Sequence, residues 1–232
     1  MDWNAAIENN LEALKRLLAA LVAMVAMADG STAKTLSRRI HRAALRLLRP
    51  AEAAVRRLVV IAARGIVVSL PPVKIIPGAR PRPPKRIVER LAFALLDPLR
   101  TPRRRPPPSR PTVVPRIWVF GAQRPPVPVR PLPQPDDIVD ATRLGLRLDA
   151  LGRVLNDLPR QARRFARWRA RRDKLDHTQF NPRRLRRLSP LKPGLPPGIK
   201  RRSWQRPRLE IHQVLRDLHG LAFWAQEKPN TS

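Results

Sequence analysis

The sequence predicts a mainly α-helical protein: a small helical bundle, made of a helical hairpin plus a long central helix, joined by long Pro/Arg-rich irregular or disordered segments. Three observations predict it. Apolar residues recur every three or four positions in separate stretches near the N-terminus, the middle and the C-terminus, which is the period of one helix face. Of the 28 prolines, 19 fall between residues 71 and 135, where so many missing amide donors keep regular structure from dominating. Finally, the formal net charge is +31 and only 43% of the residues are hydrophobic, so much of the chain stays outside a core.

Residues 1–70 read as a three-helix region. Ile7, Leu11, Leu14, Leu18, Leu21 and Val25 step by four and three over a first helix from Asp2 to Ala28, which Asp29 and Gly30 end. The uncharged run Leu17–Ala28 has 12 residues, short of the roughly 20 that span a bilayer. As a secretory signal the run has acceptable length and ends Ala26, Met27, Ala28 before Asp29, but its leader is long and carries Asp2, Glu8 and Glu12. Ser31 or Thr32 caps a second helix that buries Leu36, Ile40, Ala43 and Leu47 and turns Arg38, Arg42, Arg46 and Arg49 outward. A tight turn would fold this helix back on the first, with Arg46 and Arg49 near Glu8 and Glu12. Pro50 suits the first turn of a third helix carrying Ala54, Leu58, Ile61, Gly65 and Val68 on one stripe. The β-branched Ile66, Val67 and Val68 favour an extended exit from it.

Residues 71–135 form a linker or extended wrap with 14 basic and two acidic residues, a composition that prefers solvated polyproline II geometry. Two islands interrupt it: a short helix over Ile87–Leu96 and an apolar extended piece around Trp118 and Phe120. PPVPVR, Pro125 to Arg130, fits a PxxPxR ligand, a match that chance supplies in so proline-rich a stretch.

Residues 136–175 read as one central helix, capped by Asp136 or Asp137, whose character changes halfway. Leu144, Leu148, Leu151, Leu155 and Leu158 form a packing stripe in a first half of net charge −2, whereas residues 159–174 carry eight basic residues and one acid. That charge order suits the helix dipole. The candidate nucleic-acid-binding residues lie in the second half: Arg160, Arg163, Arg164, Arg167, Trp168, Arg171, Arg172 and Lys174, with Phe165 interleaved. Guanidinium forks match phosphate oxygens and an indole can stack on an unpaired base. The plainer alternative is a solvated helix end whose two aromatics finish the core. Residues 176–206 form a basic, Pro-rich loop, and 207–232 a C-terminal helix and tail in which Leu209, Val214, Leu215, Leu218, Leu221, Ala222 and Ala225 face inward and Trp224 closes the core.

The segments LKRLLAALVAMVAMA and IHQVLRDLHGLAFWA, set around Arg-Pro runs, resemble small basic Arg/Pro-rich proteins of GC-rich bacteria. The resemblance implies no activity and transfers no functional residue. The residues also offer no catalytic centre. Cysteine is absent, which removes disulfides, thiolate metal sites and Cys nucleophiles. His212 and His219 sit seven apart, about 10 Å along a helix, too far for one metal. GLPPGIK, Gly194 to Lys200, has the wrong spacing for a phosphate loop. The expectation is therefore a non-enzymatic, cytoplasmic protein without cofactor that binds nucleic acid or another polyanion mainly through phosphates. Two alternatives share its charge: a scaffold peripheral to the inner membrane surface, using the apolar first helix with basic arms, and a partner-dependent subunit of an acidic or RNA-rich assembly.

Overall fold

A computed structural model of the chain describes residues 2–26, 34–70, 91–98, 134–178 and 189–227, with side chains described up to 173 in the fourth stretch. It is mainly helical, with one two-stranded ribbon. The expectations placed on residues 71–90, 99–133 and 179–188, including the Trp118 island and the PPVPVR motif, lie outside the described residues.

Helix α1, Trp3–Ala26, starts on Asp2, whose Oδ1 accepts from the amides of Asn4 at 2.9 Å and Ala5 at 3.1 Å. It buries Ala13, Leu14 and Leu21. The chain then reappears as strand β1, Thr35–Ser37, which pairs antiparallel with β2, Ile138–Asp140, in the register Thr35–Asp140, Leu36–Val139 and Ser37–Ile138. Ser37 ends the strand and caps helix α2, Arg38–Ala62, by accepting from the amide of Ile40.

Helix α2 corrects two expectations. The cap is Ser37 and not Ser31 or Thr32, and the predicted second and third helices are one helix with Pro50 inside it. Proline removes an amide donor and crowds the preceding turn, so a boundary was the natural reading of the sequence. Tertiary packing overrides it: Pro50, Ala51 and residues 53–61 are all buried. The loop after residue 189 also rests directly on this point, because a Cβ on Gly198 would lie 2.7 Å from the Arg49 carbonyl carbon and 2.8 Å from the Pro50 nitrogen. Gly198 has φ +89°, so its freedom from a side chain serves both the turn and the approach. The helix stops at Ala62. Gly65 takes φ +75°, Val67 is 95% exposed, and the expected stripe through Gly65 and Val68 does not continue.

The predicted central helix over 136–175 is likewise corrected, here into a strand and two helices. Residues 134–137 make a turn in which Asp137 accepts from the Gln134 amide at 2.8 Å and pairs with Arg38 at 3.2 Å, so neither Asp136 nor Asp137 caps a helix. Helix α3, Thr142–Asn156, follows β2, and Asp140 accepts from both the amide and the hydroxyl of Thr142. These bonds, the hydroxyl first, hold the Asp140 carboxyl below its usual range. Asp157 then leaves helical geometry at φ −133° and ψ 59°. Its Oδ1 accepts from the Arg160 amide at 3.2 Å, opening helix α4, Leu158–Thr178, with Pro159 in the first turn.

The described part of the island expected as a helix over Ile87–Leu96 is irregular: residues 91–98 run over the core without helical turns, burying Phe93, Leu95 and Asp97. The 176–206 loop also holds a short helix, α5, Arg201–Gln205, and the C-terminal helix α6 spans Glu210–Trp224. Leu209 stands at the exposed start of α6, while Val214, Leu215, Leu218 and Ala222 are buried. Trp224 is 52% exposed, with its ring 5.2 Å from that of Trp3. The expected pairing of Arg46 and Arg49 with Glu8 and Glu12 does not form; Glu12 bonds Lys15 at 2.9 Å.

The organising element is α2. Helices α1, α3, α4 and α6 all pack on it, α6 most extensively. Residues from each join one apolar core, including Leu14, Leu58, Leu151, Phe165 and Leu215.

Candidate nucleic-acid interface and a buried arginine cluster

The period of α4 sorts its side chains. Phe165 is 2% exposed, and Leu158, Ala162 and Ala166 are buried beside it. Arg160, Arg163, Arg167 and Arg171 project from the opposite face and are all exposed. With 1.5 Å per residue they form a row about 16 Å long. Among the described residues the only carboxylate paired with this row is Asp157, 3.9 Å from Arg160. Asp157, Pro159, Arg160, Arg163 and Arg167 line an open concavity of about 390 Å³ at its start.

The remaining predicted site residues are placed differently. Arg164 is exposed but reaches back, donating to the Phe93 carbonyl at 3.1 Å and to Gln161 Oε1 at 3.3 Å. Trp168 is half-buried about a quarter-turn from the row, its ring 5.5 Å from Phe165, and the Arg172 guanidinium lies 5.4 Å from its ring centre. Arg172 also bonds Asp173 at 2.7 Å. Lys174 lies on α4, at a position whose side chain is not described. Arg169, on the side away from the row, donates to the carbonyls of Ala63 and Ile66 just past the end of α2. The row consequently points away from α2.

A second group of arginines does the opposite. Arg57 and Asp97 are both 0% exposed. The Arg57 guanidinium donates to Asp97 Oδ2 at 3.1 Å, to His219 Nδ1 at 2.9 Å and to the Ala53 carbonyl at 2.8 Å. Arg56 bonds the Ala94 carbonyl at 2.9 Å, lies 3.5 Å from Asp97 Oδ1 and 3.6 Å from Glu52, and sits over the Phe93 ring. Arg147 of α3 closes a two-pronged bond on Glu52, both distances 2.8 Å. Asp97 Oδ2 also accepts from the Lys192 amide at 3.0 Å, so the carboxylate ties residues 91–98 and 189–192 to α2. Helices α3 and α4 add Arg153 on the Leu91 carbonyl and Arg164 on that of Phe93. Arginines of three helices therefore grip one irregular segment.

Burial lowers the affinity of Arg56 and Arg57 for their protons, against which the neighbouring carboxylates act; for Arg57 this is Asp97. His219 is pushed down to about 4, first by burial and then by the Arg57 charge. It is the neutral acceptor for Arg57 at physiological pH, and Trp204 and Phe223 flank its ring edge-on, 5.2 and 4.9 Å away. Burial alone lowers His212. Among the described residues no three metal-ligating side chains gather in one place, and none of the helices is long and apolar enough to cross a membrane.

The sequence reading missed Arg56, Arg57 and Asp97 altogether. A signal was present, since Arg56 and Arg57 form an adjacent pair inside the apolar run AAVRRLVVIA, where buried charges require partners. Nothing in the sequence said that Asp97 would supply one.

No family model, no curated protein and no solved structure matches this chain.

Proposed function

We propose that this is a non-enzymatic nucleic-acid-binding protein that works in the cytoplasm and engages its partner mainly through phosphates. One observation carries the reading: Arg160, Arg163, Arg167 and Arg171 stand in a single outward row, with Asp157 the only carboxylate paired to it among the described residues. Arginine forks spaced one helical turn apart suit the oxygens of a phosphate backbone, and such contacts position a protein without specifying a base sequence. The Pro/Arg-rich stretches, with a net +12 over residues 71–135, add further basic charge for phosphate contacts. Trp168, already covered by Phe165 and Arg172, contributes to the face chiefly by holding α4 in place.

Salt dependence tests the proposal. With about eight phosphates neutralised by this helix and the Pro/Arg-rich stretches, log K against log salt for duplex DNA has a slope near −7, and affinity falls about four powers of ten between about 50 and 200 mM. Replacing Arg160, Arg163, Arg167 and Arg171 together by Gln removes about three to four units of that slope while keeping helicity, because Gln is nearly as good a helix former. Unchanged affinity and slope in that variant would remove this face from the mechanism. Equal binding to anionic vesicles, with no preference for nucleic acid, would favour a membrane surface instead.

A further inference from the structure

Beside the α4 row lies a second open concavity, of about 540 Å³, walled by α3, α4 and the irregular residues 91–93. Asp157 and Arg160 line both this concavity and the smaller one at the start of the row, so the two adjoin. Phe93, Ala150 and Val154 give it a buried apolar base, and the exposed Leu91 and Ala92 add apolar surface. Its size falls within the about 300–1,000 Å³ of small-molecule sites, which are likewise mostly apolar with a few fixed polar groups.

The polar groups here are already held in place. Arg153 donates to the carbonyls of Asp149 at 3.2 Å and Leu91 at 2.9 Å, and Arg164 to the Phe93 carbonyl and Gln161 Oε1, so two planar guanidinium groups are anchored in the lining. A guanidinium plane is a stacking surface for an unpaired base. Asn156 is exposed and makes no side-chain hydrogen bond among the described residues, and its amide offers a donor and an acceptor to a base edge. Asp157, the one carboxylate in the lining, suits an exocyclic amino group. A phosphate would lose hydration against the five apolar lining residues and gain nothing from them, whereas a base is matched by them. Beyond Arg160 the row continues through Arg163, Arg167 and Arg171 in steps of about 4.5, 6 and 6 Å of helix axis. A free nucleotide would leave these three unused, and the successive phosphates of a strand would meet them.

Resting on the nucleic-acid reading above, we propose that this concavity receives an unpaired base of a single strand whose phosphates lie along Arg160, Arg163 and Arg167. A base within a duplex has its edge paired and its faces stacked, and enters such a site only by leaving the helix. The ligand class of the α4 face is then single-stranded nucleic acid, and a duplex meets the arginine row alone.

The test measures, by anisotropy, binding of the full chain to two labelled DNA strands of about 12 nucleotides, one of mixed sequence and one abasic at every position. Both carry the same phosphates, so the difference between them reads the base. The mixed-sequence strand should bind at least about tenfold tighter, within what the stacking of one base supplies. In the double variant Ala92→Leu with Asn156→Leu, which fills the concavity with aliphatic carbon and leaves every charge in place, that ratio should fall to within about twofold. The wild-type comparison stands whether or not the double variant folds. If the wild-type chain binds neither strand and no duplex, the proposed function fails. If it binds duplex only, binds the two strands equally, keeps its ratio in the folded double variant, or binds adenosine monophosphate as tightly as the strand, the inference of a strand's base in this concavity is alone overturned.

Discussion

The two halves of α2 put the same residue type to opposite uses. In the first half Arg38 pairs with Asp137, while Arg39, Arg42, Arg46 and Arg49 are exposed, on a stretch of helix that carries no carboxylate; beyond Pro50 nearly the whole helix is buried, Arg56 and Arg57 with it. The difference lies in the partners. Glu52 and Asp97, two of only 17 acids in the chain, are spent on the buried half. In a protein with 48 basic residues, where the few carboxylates are placed decides which arginines can be fully buried. The contrast also separates stability from binding, since exposed charges contribute little to folding whereas a buried pair broken on one side is costly.

The largest effect should come from removing the shared acid. Asp97→Ala strands two buried guanidinium groups and is expected to cost about 3–5 kcal/mol in urea unfolding. Arg57→Met, which removes a charge and keeps the packing, should cost less, and a larger loss for it would overturn the partner argument. Next comes the junction between the halves. Gly198→Ala brings a Cβ within 2.7 Å of the Arg49 backbone at φ +89° and should destabilise by about 1–3 kcal/mol; a neutral result would mean the loop does not rest on α2 at Pro50.

Acidification probes the buried half from a different side. His219 is held down at about 4, below the roughly 6.5 of an unfolded chain, so the unfolded state binds the extra proton first. The stability this contributes is complete above about pH 6.5 and is lost as pH falls toward 4, on the order of 2 kcal/mol once its partial exposure is discounted. His219→Gln should flatten that part of the pH-stability curve, and a curve of unchanged shape would refute the assignment. Smallest of all, Arg42→Gln and Arg46→Gln should each move the unfolding free energy by less than about 0.5 kcal/mol, although they lie on the same helix as Arg57.

The helical stripes were legible because burial of one face leaves a period in the sequence: Leu14 and Leu21 of α1, Leu144 to Leu155 of α3 and Leu215 and Leu218 of α6 are all in the core. What escaped was decided by contacts distant in sequence. Pro50 reads as a helix start and is held inside a helix by packing from other elements. Asp157 reads as one more polar position, and only its bond to the Arg160 amide reveals a new helix. At residues 91–98 an apolar run suggested helix, but its carbonyls of Leu91, Phe93 and Ala94 are bound by arginines from three helices. For the candidate face, periodicity was enough to place Arg160, Arg163, Arg167 and Arg171 together. It could not say that Arg164 and Trp168 would be engaged within the molecule itself.

The ionic cluster also sets an order of events during synthesis. Arg57 is separated from Asp97 by 40 residues and from His219 by 162. At a translation rate of 5–20 residues per second, the wait for His219 lasts about 8 to 30 s. Throughout that interval the second half of α2 lacks its most extensive packing surface, α6, and Arg57 lacks the imidazole acceptor that completes its hydrogen bonds. A nascent chain in this condition presents apolar and cationic surface side by side, next to the ribosome's own polyanion, and its native core closes only after residue 219 has emerged.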